Sequence, residues 1–381
     1  MQLTSEQADL RAAVRGLLDR YPVGPEPDEL AEQRLWQRLC AEIGVAGLAI
    51  PERYGGAGAG PVEVHIVMEE LGRSLTPAPM LGSAVMATQA VLKSGDDAAC
   101  QRLLPGLADG SLTAALAWTT AAGGFDPAET ACRAAPAPGW TAQAAGADAG
   151  KAAASGSYVL TGEAHYVLDG DCAGVLLVPA LMPDGGIGLF EVQPAEPQVT
   201  RGATISVDQS RRLSVIRLDG AAGRQIGDRA ALAEVRDAAC VALSAEQVGA
   251  AAAALAMTVA YTKVRVQFGR PIGSFQALQH RMADMHVLVE AARSLSYAAA
   301  AAMEQGAADA GLRAAAAKAY CSEALQQVSA EMIQLHGAIG MTWEHAAHRY
   351  FKRAHSAAML LGAPSGHVAR VAAAVIDTAV T

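Results

Sequence analysis

Residues 238–266 are apolar on almost every face of a helix, and alanine is the commonest residue among them. A helix without a polar face is stable only when it is covered on all sides, inside a bundle or against another subunit. Its most apolar part, residues 248–261, is too short to span a bilayer. Composition makes the same demand of the whole chain. Hydrophobic residues are 52% and aromatics only 4%, so alanine and leucine must build the interior. Small side chains of that kind favour closely packed helices over an aromatic-rich β fold.

The 381 residues leave room for two or three domains. A formal net charge of −9 argues against nucleic acid or an anionic membrane as partner, since both call for a basic patch. Cys40, Cys100, Cys132, Cys172, Cys240 and Cys321 are scattered without a CxxC pair, which suggests neither a zinc site nor a disulfide framework. The opening Met-Gln-Leu-Thr-Ser-Glu-Gln is polar, unlike a secretory signal. A cytoplasmic protein is expected.

Periodicity divides the chain in three. Leu10, Val14, Leu17 and Leu18 give residues 5–18 a helical stripe, and Trp36, Leu39 and Ile43 continue a second apolar face. Residues 51–58 break the helices and residues 62–71 resume them. Short β-rich runs then appear at 158–160, 165–168, 174–178, 188–192 and 213–218, with turn signals at Asp169-Gly170 and Asp184-Gly-Gly186. The Ala/Pro/Gly stretch 134–150 reads as a loop within this β region. After Gly227 helices return, marked by Met282, Met285 and Val289 and then by Leu325, Val328, Met332 and Leu335. The pattern predicts an α+β protein: a helical domain over 1–110, a small β domain over 111–223 and a helical domain over 224–381.

Two segments carry chemistry. Arg265-Val-Gln-Phe-Gly-Arg-Pro-Ile-Gly-Ser-Phe-Gln276 and Gln334-Leu-His-Gly-Ala-Ile-Gly340 sit at edges of helical segments, where a bare helix needs no Gly, Pro or fixed charge. An Arg beside aromatic and amide side chains, with a Gly turn that lets backbone N–H groups approach an anion, is what a pyrophosphate requires. The plain alternative is an exposed helix end whose Arg265 offsets the helix dipole.

The first segment, read as Arg-x-Gln-Phe-Gly-x-Pro-Ile-x-x-Phe-Gln, resembles the flavin-contacting signature of the acyl-CoA dehydrogenase family and retains each of its residue types. The second resembles that family's Gln-x-x-Gly-Gly-x-Gly turn, with Ala338 in place of the second Gly. The likeness extends over nearly the whole chain. It implies a small β-barrel or sandwich in the middle and a C-terminal four-helix bundle. It also implies FAD as cofactor, with Arg265 on the pyrophosphate and Phe268, Gln276, Gln334 and Gly337 reaching a flavin held mainly by a neighbouring subunit of a tetramer. The Gly-rich Tyr54-Gly-Gly-Ala-Gly-Ala-Gly60 lacks the G-x-G-x-x-G spacing and is read as a helix-to-helix turn.

In the β region the resemblance assigns Trp118, Thr119 and Tyr166 to the cofactor. Trp118-Thr-Thr-Ala-Ala-Gly-Gly-Phe-Asp126 keeps Thr119, Gly124 and Asp126 of the family segment but not its Glu-Pro or Ser. His165-Tyr166-Val-Leu168-Asp-Gly170 puts Tyr166 where an aromatic covers the flavin ring. Leu168 stands where a Thr hydroxyl would bond the reactive flavin nitrogen.

The implied reaction removes a Cα proton from an acyl-CoA thioester, which suits a carboxylate in a dry pocket. Where most relatives carry that Glu this chain has Leu361, and at the family's other position it has Ala239. Glu246, about two turns further along the same helix, is the best substitute in the chain, against the plainer reading of a buried Glu paired with an Arg. His336, His345, His348 and His355 match no common zinc spacing, so no metal is expected.

The losses follow a pattern. Residues that reach a neighbour's flavin are kept, and those that serve the chain's own flavin and substrate are changed. This resembles the non-catalytic type of subunit in heteromeric bacterial acyl-CoA dehydrogenases, some of which desaturate CoA thioesters of steroid side chains. The alternatives are a self-sufficient homotetramer using Glu246, or a relative that oxidises something other than a CoA thioester. An electron-transferring flavoprotein is the acceptor the resemblance implies.

Overall fold

Thr4 opens the first helix, α1 (Ser5–Arg20), with a reciprocal capping box. Its hydroxyl accepts from the Gln7 N–H, and the Gln7 side chain accepts from the Thr4 N–H. The computed structural model describes residues 3–22, 24, 28–126, 128–137 and 158–380, without the side chains of 377–380. Val14, Leu17 and Leu18 are buried on the inner face of α1. Helix α2 (Glu29–Arg38) runs into a π-helical turn closed by Gly44 at φ 78°. The Gly-rich stretch 54–60 is a turn, and Pro61 at the first position starts α3 (Pro61–Arg73). A second π-helical segment, Met80–Ala87, continues into α4 (Thr88–Leu92), and α5 (Asp97–Asp109) ends at Gly110 with φ 75°.

The strands follow: β1 (Ala114–Leu116), β2 (Cys132–Pro136), β3 (Tyr158–Leu168), β4 (Val175–Leu181), β5 (Ile187–Val192), β6 (Val199–Ala203) and β7 (Leu213–Asp228). Pairings β4–β2, β2–β3, β3–β7, β7–β5 and β5–β4 close on themselves, with β1 on β4 and β6 on β7. Closure removes the exposed edges that an open sheet of this size would carry. Leu160, Leu176, Val178, Phe190 and Ile216 fill the interior. The expected strand runs are all strands. Of the stretch 134–150, residues 134–136 belong to β2, and 138–150 lie outside the described residues.

Helix α6 (Ala230–Val264) is longer than its most apolar stretch suggested. On length and composition alone it could cross a membrane, although most of its apolar window is buried inside the protein. A short hairpin, β8 (Val266–Gln267) and β9 (Arg270–Pro271), joins it to α7 (Gln276–Glu304). Then come α8 (Ala310–His336), α9 (Ala347–Met359) and α10 (Pro364–Val380). Helix α6 packs against α3, α7 and α8, while α9 and α10 lie on α8. The lack of a polar face on α6 is thus answered by neighbours on several sides. The layers are helical, β and helical in chain order, and the α+β expectation holds.

Candidate functional site

The α6–α7 hairpin turns through Phe268 at φ 53° and Gly269 at φ 77°. A left-handed conformation strains any residue with a Cβ, so the backbone holds Phe268 at some cost. Its ring is not used for packing, being 91% exposed. The Ile272 N–H donates to the Arg265 carbonyl at 2.8 Å, fixing the base of the hairpin, and the Arg270 guanidinium lies 4.0 Å over the Phe275 ring. Arg265, the C-cap of α6, and Gln276, the first residue of α7, are both exposed.

The C-terminus of α8 reaches the same end of the bundle. The Tyr261 ring stacks on His336 with centroids 4.4 Å apart, and its hydroxyl donates to the His336 carbonyl at 3.3 Å. Gln334 and Gly337, the latter at φ 67°, are exposed there. Val264, Val266, Met341 and Trp343 also present apolar surface to solvent. The sequence-predicted residues Arg265, Phe268, Gln276, Gln334 and Gly337 therefore share one open end of the helical bundle.

The residues expected at the chain's own flavin lie elsewhere, beside the barrel. Trp118 is buried, its indole N–H donating to the Glu129 carbonyl at 3.1 Å and its ring 5.0 Å from Phe125. The carbonyl of buried Thr119 accepts from the His165 N–H at 2.8 Å. That bond sits at a register break between Ala164 and Val167, which leaves Tyr166 at φ 53° with its ring partly exposed.

Past Tyr166 the chain turns inward and the space closes. Leu168 is buried in the same apolar core as Ala239 and Leu361. The π-helical segment presses on it: a Cβ on Gly82 would stand 3.0 Å from the Leu168 Cβ and 3.0 Å from Asp169 Oδ2. Burial pushes the Asp169 carboxyl up to about 7.

A charged cluster fills what remains. Arg211 Nη2 and Arg353 Nη1 converge on Glu246 Oε1 at 2.5 and 2.8 Å. Arg353 Nε lies 2.9 Å from Asp208 Oδ2, and its Nη2 donates to the Ser210 carbonyl at 2.5 Å. Burial pushes the Glu246 carboxyl up, but the two guanidiniums overcome that and hold it below its ordinary value. The cavity left among Leu168, Asp169, Ser210, Arg211, Glu246 and Arg353 is about 20 Å³, enough for one water.

This arrangement favours the plainer expectation for Glu246, a buried carboxylate paired with arginine, over that of a base. A base for an activated C–H bond needs a raised pKa and a free oxygen facing a substrate. The Glu246 carboxylate is instead the buried centre of an ion-pair cluster joining the β6–β7 connection, α6 and α9. Ala239 and Leu361 are fully packed. Leu361 sits at φ 63° in the α9–α10 turn, its carbonyl accepting from His367 Nε2 at 2.9 Å. Buried Lys318 braces that turn by donating to the Ala358 carbonyl at 3.1 Å and to Ser322 Oγ at 2.9 Å.

Arg211, Arg353 and Asp208 were not singled out from the sequence. One signal was present: Arg353 falls on the apolar stripe of Tyr350, Ala354 and Ala357 in α9, where a charge demands a buried partner. Among the described residues no group of three or more His, Cys, Asp and Glu could hold a metal, and the His336 and His345 rings meet at a tilt with centroids 4.3 Å apart.

Comparison with known proteins accords with this architecture. The family model for the acyl-CoA dehydrogenase N-terminal domain matches residues 4–111, and that for the C-terminal domain matches residues 230–376. The chain is 34% identical over 381 residues to the acyl-CoA dehydrogenase IpdE2 of Mycolicibacterium smegmatis, covering 98% of this chain and 100% of that one. It is 35% identical to the IpdE2 of Mycobacterium tuberculosis, over 94% of each. Among solved structures, the Tcur3481-Tcur3483 steroid ACAD G363A variant superposes with a TM-score of 0.85 at 32% identity, covering 99% of each chain. The ChsE4-ChsE5 complex from Mycobacterium tuberculosis superposes at 0.83 with 26% identity, over 98% of each. With family models matching both helical regions and a relative matching 98% of its length, this chain belongs to the acyl-CoA dehydrogenase family, a family of FAD-dependent oxidoreductases.

Proposed function

We propose that this chain is one subunit of a heteromeric acyl-CoA dehydrogenase and completes the flavin site of a related partner while holding no working site of its own. One observation carries the reading. The space beside Leu168 is packed by the Arg211–Glu246–Arg353–Asp208 cluster down to about 20 Å³, while Arg265, Phe268, Gln276 and Gln334 stand exposed at the bundle end.

The residues present fit a flavin dinucleotide at one of these places and not at the other. At the bundle end an exposed guanidinium, two amides and a Gly turn match the needs of a pyrophosphate. Among Leu168, Glu246 and Arg353 there is no volume for a ring system, the open recess of about 800 Å³ beside Pro77, Ala78, Asp169 and Arg212 lying outside that cluster, and Leu168 offers no hydrogen bond. Arg265 would hold the pyrophosphate, Gln276 and Gln334 would bond the dinucleotide, Gly337 would allow close backbone approach, and Phe268 would shield the cofactor from water. Trp118, Thr119 and Tyr166 keep the framework of a cis site that the packing has closed.

The assembly desaturates an acyl-CoA thioester between Cα and Cβ, and bound FAD supplies the hydride-accepting chemistry. The partner supplies the catalytic carboxylate and the acyl pocket. The two-component names of the solved relatives, and the word steroid in one of them, favour a heteromer acting on a steroid-derived acyl group. A cytoplasmic tetramer passing electrons to an electron-transferring flavoprotein completes the reading.

Purification tests it. Alone, the chain is expected to be colourless and to reduce no dye with any acyl-CoA. Co-expressed with the related subunit it is expected to give a yellow complex with fewer flavins than chains. A chain that alone retains one flavin per protomer and turns over an acyl-CoA would return the self-sufficient homotetramer.

A further inference from the structure

Another cavity lies about one helical turn along α6 from Glu246, where α3, the π-helical segment and α4 face the N-terminal turns of α6 and the α7–α8 turn. It holds about 490 Å³, within the range of roughly 300–1,000 Å³ usual for small-molecule sites. Its walls are mostly small apolar side chains, among them Ala84, Ala238, Ala242 and Ala307, with Val241 and Met303 adding bulk. Alanines at these positions leave a hollow that leucines would fill.

The charges on the wall are already answered. Lys93 Nζ lies 2.6 Å from Glu234 Oε2, and the pair is half exposed. Asp237 takes two hydrogen bonds from Arg370, at 2.7 and 3.0 Å. The Gln89 amide, partly buried on the same wall, has no hydrogen-bond partner among the described residues. A charged ligand would meet no unpaired countercharge here and would lose its hydration without return. A neutral apolar one would gain the wall area and a single hydrogen bond from Gln89.

We infer that this recess binds a compact, uncharged apolar molecule bearing one hydroxyl or ketone group, seated between Ala238 and Met303 with its oxygen at Gln89. The site is independent of flavin and of the partner's chemistry, so it stands or falls apart from the proposed function.

The test uses the full chain labelled at its methionine methyls with carbon-13, alone or reassembled with unlabelled partner, and 2-adamantanone as probe. The Met303 signal, assigned by Met303→Leu, is expected to shift saturably. Ala238→Phe is expected to weaken binding at least tenfold, and Gln89→Leu severalfold. If Ala238→Phe does not fold, Ala307→Leu in the half-buried turn fills the same space and is read in its place. A Met303 signal that stays put at saturating probe, or a shift that survives the filling variants unchanged, overturns the inference.

Discussion

A Cβ on Gly249 would overlap the main-chain carbonyl oxygen of Glu69, because α6 and α3 cross there backbone against backbone. One turn away on each helix, Gly72 meets the Glu246 carbonyl in the same manner. The crossing sets the position of Glu246, and through it the charged cluster that closes the cleft. Neither backbone yields readily to a methyl group, since the α6 turn is mid-helix and the last turn of α3 is buried against it. Gly249→Ala is therefore expected to cost about 3 kcal/mol despite the better helix propensity of alanine. Gly16→Ala in α1, where a Cβ meets nothing within 4 Å, is the control and should gain ~0.5–1 kcal/mol. Denaturant unfolding of both variants checks the pair, and equal effects would contradict the crossing.

Glu246→Gln separates a structural acid from a catalytic one. The substitution leaves Arg211 and Arg353 buried around a neutral amide, so stability should fall by roughly 3–5 kcal/mol. Turnover per folded complex with the partner should be unchanged. The pH dependence has a definite sign. A carboxylate held below its ordinary value in the folded state contributes stability that is present above about 4.5, the unfolded value, and is lost as pH falls through the folded one. The acid limb of the stability curve should accordingly flatten in the variant. A kcat that collapses while the fold survives would restore Glu246 as a base.

Much of this could be read in advance, and the remainder could not for a physical reason. The order of layers follows from local periodicity, which residues such as Leu10, Val14 and Leu17 display within a few turns. The segment proposed to face the flavin is contiguous from Arg265 to Gln276, so a linear pattern contains it. The cluster that fills the cleft is not contiguous. Asp208, Arg211, Glu246 and Arg353 come from three parts of the chain and meet only through the α3–α6 crossing and the seating of α9. Absence of the usual Glu at Leu361 was visible, whereas what occupied the vacated volume was not. Glu246 was singled out for its place on α6, whereas the two guanidiniums that meet it could not be named from its own stretch of sequence.

Lys318 offers a prediction of the opposite pH sense. It is fully buried, donates to Ser322 Oγ and the Ala358 carbonyl, and burial pushes its amine down to about 8 from 10.5. A lysine with a depressed value in the folded state penalises folding while charged, and the penalty is lifted as pH rises from 8 to 10.5. At about 1.36 kcal/mol per unit the full change is ~3 kcal/mol. Cys240 and Cys321, both raised to about 12 by burial, and His367, lowered to about 4 by burial, surround it but are common to wild type and variant. The stability difference between wild type and Lys318→Met should thus be level below pH 8 and grow in favour of wild type up to 10.5. A difference that is flat across that window would mean the amine keeps its ordinary value of 10.5 in the fold, as it would if open to water.

The last prediction distinguishes a flavin held in trans from one held in cis. Arg265 is exposed and makes no ion pair among the described residues, so Arg265→Gln should leave the stability of the isolated chain within about 0.5 kcal/mol of wild type. In the assembled complex the same change removes a charge-assisted contact worth roughly 1.5–3 kcal/mol, and flavin should dissociate ten- to a hundredfold more readily. Leu168→Thr restores the hydroxyl that the family carries, yet it should recover no flavin in the isolated chain. Arg211, Arg353 and Glu246 still occupy the volume beside it, so the restored hydroxyl has no room to meet a flavin. Flavin absorbance after gel filtration reads both variants. Yellow isolated chain from Leu168→Thr, or unaltered flavin retention in the Arg265→Gln complex, would place the cofactor in this chain's own cleft and reverse the assignment of the bundle end.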